Sequence, residues 1–239
     1  MTTGASRTLG NFNVPTSLPV AEFDSVNERV AQRSSGNEDI WYGFASAWNG
    51  VAYRMRAALD HERAFTTSVA GATAPPIEER YRQDHDLFGF VVSAVSAIEC
   101  FYFAANCIGS LLEPGIFPLS KSENLKFYPR DVRDRFLSAF AGGALTGAMQ
   151  ETLSAAQFHQ LSDIRNFLAH RGTPPRMHFA STTGPDIPSA IPSNLVALAS
   201  GWRYNLELSP QCLVPYKIWL EDSLHQLIKA ASAFVSTRL

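Results

Sequence analysis

Cysteine is scarce in this chain of 239 residues. The three cysteines are odd in number, show no metal-ligand spacing, and two of them lie in one apolar run. This pattern argues against a disulfide-stabilised secreted domain and against a cysteine metal centre. It is typical of reduced core residues in a cytoplasmic protein.

An excess of positive charge is also missing, since 20 basic and 22 acidic residues give a net charge of -2. No global field would hold a nucleic-acid backbone, so any such binding must come from a local patch. Residues 1–20 have no apolar segment of the signal-peptide type, which predicts that the protein is not exported.

Several catalytic signatures are absent from the sequence. There is no Walker loop and no GxSxG elbow, which argues against P-loop nucleotide hydrolysis and serine esterase chemistry. The histidines show no HExxH or Cys/His pattern, so the sequence predicts no metal and no other cofactor.

Hydrophobic periodicity predicts an all-α fold. Apolar residues at three- and four-residue steps indicate helices over residues 37–65, 75–112 and 214–237. A short helix over residues 131–140 and a helix containing residues 158–170 complete an up-and-down bundle of about five helices.

The apolar run at residues 87–112 is long enough to cross a bilayer. It carries Glu99 at its middle, where a carboxylate would cost about 2.5–3.5 kcal/mol on insertion scales. The run therefore predicts a buried helix of a soluble protein and no membrane partner.

A single domain is predicted over residues 21–239, after a flexible arm formed by the polar residues 1–20. Residues 173–210 contain six prolines and little periodicity, which indicates an irregular insertion. Its segments "RMHFA" and "GWRYNLEL" alternate enough to predict a short β-hairpin. An active-site lid or a dimer arm is the expected role of this insertion.

The stretch "HQLSDIRNFLAHRGTPPR", residues 159–176, places Arg165, Asn166 and His170 near a helix end. Asn166 and His170 are four residues apart and share a face. Arg165 and His170 are separated by a rise of roughly 7.5 Å and a rotation of about 140°. The arginine side chain is long enough to reach towards the face of Asn166 and His170, so all three residues could contact one small anion. An arginine beside a histidine can cleave RNA without a metal, because the imidazole moves protons while the guanidinium stabilises the phosphorane.

The arginine-to-histidine spacing alone is not specific. Arg56 with His61 and Arg80 with His85 have the same separation. Only Arg165 is followed directly by asparagine, and this makes the third pair the candidate site.

The segment "IRNFLAHRG" resembles the Arg-Asn-x-x-x-His motif of the HEPN superfamily, all-α domains found in prokaryotic toxins, abortive-infection proteins and other RNA-cutting defence enzymes. The resemblance implies that Arg165 and His170 are catalytic and that Asn166 supports them. It also implies a metal-independent endoribonuclease, acting on RNA as a homodimer in which the two motifs face each other. A cognate antitoxin or a defence-system protein is then an expected partner.

Two alternatives remain beside the nuclease. HEPN members without catalysis exist, so the chain could be a non-catalytic module that binds a nucleotide, an RNA or a protein partner. It could also be a structural bundle in which "RNFLAHR" is only a helix end, where cations are favoured by about 0.3–1 kcal/mol. This structural interpretation predicts Arg165 paired inside the core.

Four residues are secondary candidates. Glu99 needs a partner if it is buried: it either pairs with Arg165 or hydrogen-bonds the motif histidine, orienting the site, or it pairs with an unrelated arginine. Arg171, Arg176 and His178 follow the motif and either extend a phosphate-binding patch or belong to a solvated loop.

Overall fold

The computed structural model describes residues 7–9, 12–70, 76–119, 127–170 and 209–239. These residues are mostly helical, with one short two-stranded hairpin, which confirms the predicted all-α class. The helices in the described ranges are α1 Val20–Arg33, α2 Glu38–Val69, α3 Ile77–Leu112, α4 Pro129–Ala139, α5 Ala144–Ser154, α6 Ala156–His170 and α7 Val214–Arg238.

The five predicted helices correspond to α2, α3, α4, α6 and α7, and the structure adds two. One is α1, whose buried Phe23, Val26 and Val30 follow the three- and four-residue spacing of a single helical face. The other is α5, which is separated from α6 only by Ala155, where the backbone is extended with ψ 136°. Alanine favours helices, so the sequence carries no local stop signal at this break.

The central helix of the fold is α3. It packs along α2 and also contacts α4, α6 and α7, and its buried residues lie on all sides, as expected of a helix enclosed by others. Next to it, the fully buried Trp48 of α2 stacks on Phe23 and Phe44 and lies 5.9 Å from the ring of Phe101. The Trp48 indole also donates a hydrogen bond to the backbone oxygen of Phe23 at 3.1 Å, which ties α1 to the core.

Among the residues that the structure describes, α3 is the one helix long and apolar enough to cross a membrane. However, 61% of its most apolar window is buried inside the bundle. A core helix of a soluble protein can meet the same criteria of length and composition, so α3 is weak evidence for membrane insertion.

The segment predicted as a flexible arm, residues 1–20, contains a short hairpin where it is described, and its flexibility stays a prediction. Strand β1 (Arg7–Leu9) pairs antiparallel with β2 (Phe12–Val14). Leu18 is fully buried. The Arg56 guanidinium of α2 lies 5.0 Å from the centre of the Phe12 ring in β2. The described part of this segment therefore contacts α2.

Candidate functional site

The motif is carried by α6, which packs mainly on α3. Phe158, Leu161 and Ile164 are buried, which confirms three members of the predicted inner stripe, and Leu168 packs against the core as the fourth. This stripe sets the rotation of α6. Arg165, the next residue after Ile164, consequently lies at the border between the buried face and solvent.

Arg165 forms an ion pair with Glu99 of α3. Its Nη1 lies 2.6 Å from Oε1 of Glu99, so Glu99 has one of the partners expected for it. The two side chains are 28% and 35% exposed. The pair is thus accessible to solvent, which differs from the pairing inside the core that the structural interpretation predicts.

Asn166 holds the other edge of the guanidinium. Nε and Nη2 of Arg165 both donate to Oδ1 of Asn166, each at 3.3 Å. A guanidinium carries five N–H donors, and three of them are used by these contacts with Glu99 and Asn166. The remaining two have no acceptor among the described residues.

His170 is the last residue of α6, and α6 is helical up to it. The described part of the structure does not include its side chain. Helical geometry places position 170 one turn beyond Asn166, roughly 6 Å along the axis and on the same face. Because the Arg165 guanidinium is directed towards Asn166, it is displaced towards the face that contains position 170.

The chain after α6 lies outside the described residues up to position 208. Arg171, Arg176 and His178 are in this stretch, and so is the predicted β-hairpin. Both interpretations of the three side chains, phosphate-binding patch and solvated loop, stay predictions.

Cys100 is the titratable neighbour of the ion pair. Burial raises the pKa of its thiol; the nearby Arg54 guanidinium lowers this pKa and the Glu99 carboxylate raises it, both to a smaller extent. A thiol with a raised pKa is a poor nucleophile at neutral pH. Arg54 is exposed on α2 and places positive charge near Cys100, the residue that follows Glu99.

Glu99→Gln is expected to change the free energy of unfolding by less than about 1 kcal/mol, because partly exposed ion pairs contribute about 0–1 kcal/mol. Urea denaturation measures this change. Ile164→Ala is the control on the motif helix, where deletion of a buried side chain should cost about 2–5 kcal/mol. A loss for Glu99→Gln as large as that of the control would favour the structural interpretation.

A second polar cluster joins α2 to α3. Nδ1 of His61 lies 3.2 Å from Oδ1 of Asp86, and Nδ1 of His85 lies 3.4 Å from the same oxygen. The sequence prediction of no metal site overlooked this cluster, because His61 is on a different helix from the other two. A signal existed, since positions 61 and 86 are equally far from the centre of the "GATAPP" break and antiparallel packing brings such positions level.

A groove of about 300 Å³ lies between α7 and the junction of α5 with α6. Glu151, Trp219 and Asp222 are among its lining residues, and Arg165 and Asn166 are not. Its acidic side chains do not suit a phosphate ligand.

No protein-family model, no curated protein and no solved structure matches this chain. The functional assignment consequently depends on the motif and on the geometry around Arg165.

Proposed function

We propose that the protein is a metal-independent endoribonuclease of the HEPN type, belonging to a toxin or antiphage-defence system. The observation that supports this most is the position of the Arg165 guanidinium. Glu99 and Asn166 hold it at a solvent-accessible edge, with two N–H donors unused by the described residues. It is held on the side of α6 where the motif places His170.

Arg165 supplies the electrostatic part of the proposed reaction. Its guanidinium is permanently charged, and its planar N–H groups match two oxygens of a phosphate. A cation that is already oriented needs little reorganisation when negative charge builds up on the phosphorane. Glu99 is then a positioning residue, because it fixes the guanidinium without touching the substrate.

His170 supplies the proton transfers. An imidazole exchanges protons near neutral pH, so it can accept the proton of the ribose 2′-OH or donate one to the leaving 5′ oxygen. The 2′ oxygen forms a bond to phosphorus while the bond from phosphorus to the 5′ oxygen breaks. The products are a 2′,3′-cyclic phosphate and a 5′-hydroxyl. DNA has no 2′-OH and is not a substrate.

A homodimer completes the proposal. Two motifs facing each other would provide one His170 as the base and the other as the acid on the same phosphate. The net charge of -2 means that RNA is held by local cations, of which Arg54 and Arg165 are exposed or partly exposed here. We expect the dimer to act in the cytoplasm, where an antitoxin or a defence-system partner controls it.

The test is incubation of the purified protein with a mixed RNA pool in EDTA, followed by analysis of the product ends. We expect cyclic-phosphate ends and no cleavage of DNA of the same sequence. His159→Ala is the matched control, because His159 is exposed on the same helix and outside the motif. Products ending in 3′-hydroxyl groups would contradict the mechanism.

One observation favours a non-catalytic binding module as the second candidate function. The 2.6 Å contact with Glu99 offsets part of the charge of Arg165, which weakens it as a stabiliser of the phosphorane. A folded dimer that binds RNA or a nucleotide in EDTA without cleaving RNA would support this module.

A further inference from the structure

We propose that His61, His85 and Asp86 form a binding site for a divalent transition-metal ion of the Zn²⁺ class. One ligand atom from each residue lies within 4.8 Å of the other two. Zn²⁺ binds nitrogen and oxygen ligands at about 2.0–2.2 Å, so neighbouring ligands in a tetrahedral site are roughly 3.3–3.5 Å apart. The distances from Asp86 Oδ1 to the two Nδ1 atoms, 3.2 and 3.4 Å, agree with one shared ion.

The donor set selects the class of ion. Two imidazoles and one carboxylate suit Zn²⁺, Co²⁺ or Ni²⁺, whereas Mg²⁺ and Ca²⁺ prefer oxygen ligands alone. Three protein ligands leave a position for water in a tetrahedral shell.

Gly89 allows His61 to approach α3. A Cβ at this position would lie 2.5 Å from both Cε1 and Nε2 of the His61 ring. The edge of the ring that contains Nε2 therefore rests on the glycine, and Nδ1 is the nitrogen that faces Asp86. Asp86 and His61 are 18% and 29% exposed, which limits their freedom, while His85 at 59% lies on the side from which an ion can enter.

The two contacts of Asp86 are at or beyond the long end of the hydrogen-bond range. N–H···O distances in proteins are usually about 2.7–3.2 Å, and the contacts to His61 and His85 are 3.2 and 3.4 Å. An ion between the ligands would explain such spacing, because each ligand then contacts the ion and not the other ligands.

The proposed metal site is separate from the candidate nuclease site. Asp86 and Glu99 are both on α3, and helical rise places them roughly 20 Å apart along its axis. The ion would join α2 to α3 near the end of the helix pair where the chain turns. It stabilises the folded chain by binding it in preference to the unfolded chain.

The experiment is a titration of EDTA-treated, dialysed full-length protein with Zn²⁺ by calorimetry and with Co²⁺ by absorption spectroscopy. We expect one ion per chain, a higher Tm with Zn²⁺, and Co²⁺ bands typical of nitrogen and oxygen ligands. Asp86→Asn and His61→Ala should each weaken binding by at least about 100-fold, more than loss of an outer-shell partner usually does. His159→Ala, an exposed histidine on another helix, should bind as the wild type does.

Three results would overturn the site. The first is that the folded wild type binds no ion, and the second is that Asp86→Asn and His61→Ala both bind Zn²⁺ with the affinity of the wild type. The third is a sulfur-to-cobalt charge-transfer band, which would place the ion on a cysteine. His85→Ala is a further variant whose folding is not at risk, because this side chain is mostly exposed. RNA cleavage is measured in EDTA, so the outcome for the metal site is independent of the proposed nuclease activity.

Discussion

His170→Ala is expected to lower the rate of RNA cleavage by about 10²–10⁴-fold, the range that one general acid–base group contributes. Arg165→Ala should lower it by about 10²–10³-fold, because the charge on the phosphorane loses its preorganised donor. Single-turnover cleavage of one defined RNA in EDTA measures both rates. The pH dependence that an imidazole imposes on the wild-type rate should also disappear in His170→Ala.

Three further variants make this prediction specific. His159→Ala alters another histidine of α6 and should cleave at the wild-type rate. Arg165→Lys keeps the charge but loses the planar fork, so an intermediate rate is expected. Glu99→Gln should reduce the rate less than Arg165→Ala does, because it changes only the orientation of the guanidinium. If folded His170→Ala cleaves as fast as the wild type, the motif is not the reaction centre.

Trp48→Ala is expected to lower the free energy of unfolding by about 3–5 kcal/mol. Trp48 is fully buried, contacts three aromatic rings and donates a hydrogen bond to α1. Its removal leaves a large cavity between α1, α2 and α3, and the backbone oxygen of Phe23 loses its donor. Urea denaturation followed by circular dichroism gives the change, and the midpoint should fall without loss of helical content before the transition.

Trp41 provides the matched control in the same helix. It is only partly buried, so Trp41→Ala should cost clearly less than Trp48→Ala. Trp48→Phe keeps an aromatic ring in the core and loses the indole donor, and an intermediate loss is expected. It also gives a measurable value if Trp48→Ala does not fold. Equal losses at positions 41 and 48 would show that the packing around Trp48 is not a main source of stability.

Much of the fold could be predicted from the sequence because burial is periodic in a helix. The stripe of Phe158, Leu161 and Ile164 identified the inner face of α6, and similar stripes located α2 and α7. Prolines and glycines marked most of the breaks between helices. These signals are local, so one sequence is enough to detect them.

Other elements could not be predicted because non-local contacts determine them. The break at Ala155 has no proline or glycine to announce it. The β1–β2 hairpin has only three residues in each strand, and β2 packs against α2. Helix α1 is short, and its buried face is stabilised by contacts with α7 and with Trp48 rather than by its own propensity.

The sequence by itself determined the all-α class, the buried faces of the long helices and the motif at the end of α6. Only the tertiary structure decided that Glu99 meets Arg165 across 66 positions, and that His61 comes level with Asp86. The physical reason is that periodicity defines which face of a helix is buried but not its partner. The rotation and register of each helix pair depend on how side chains from several helices fill one core.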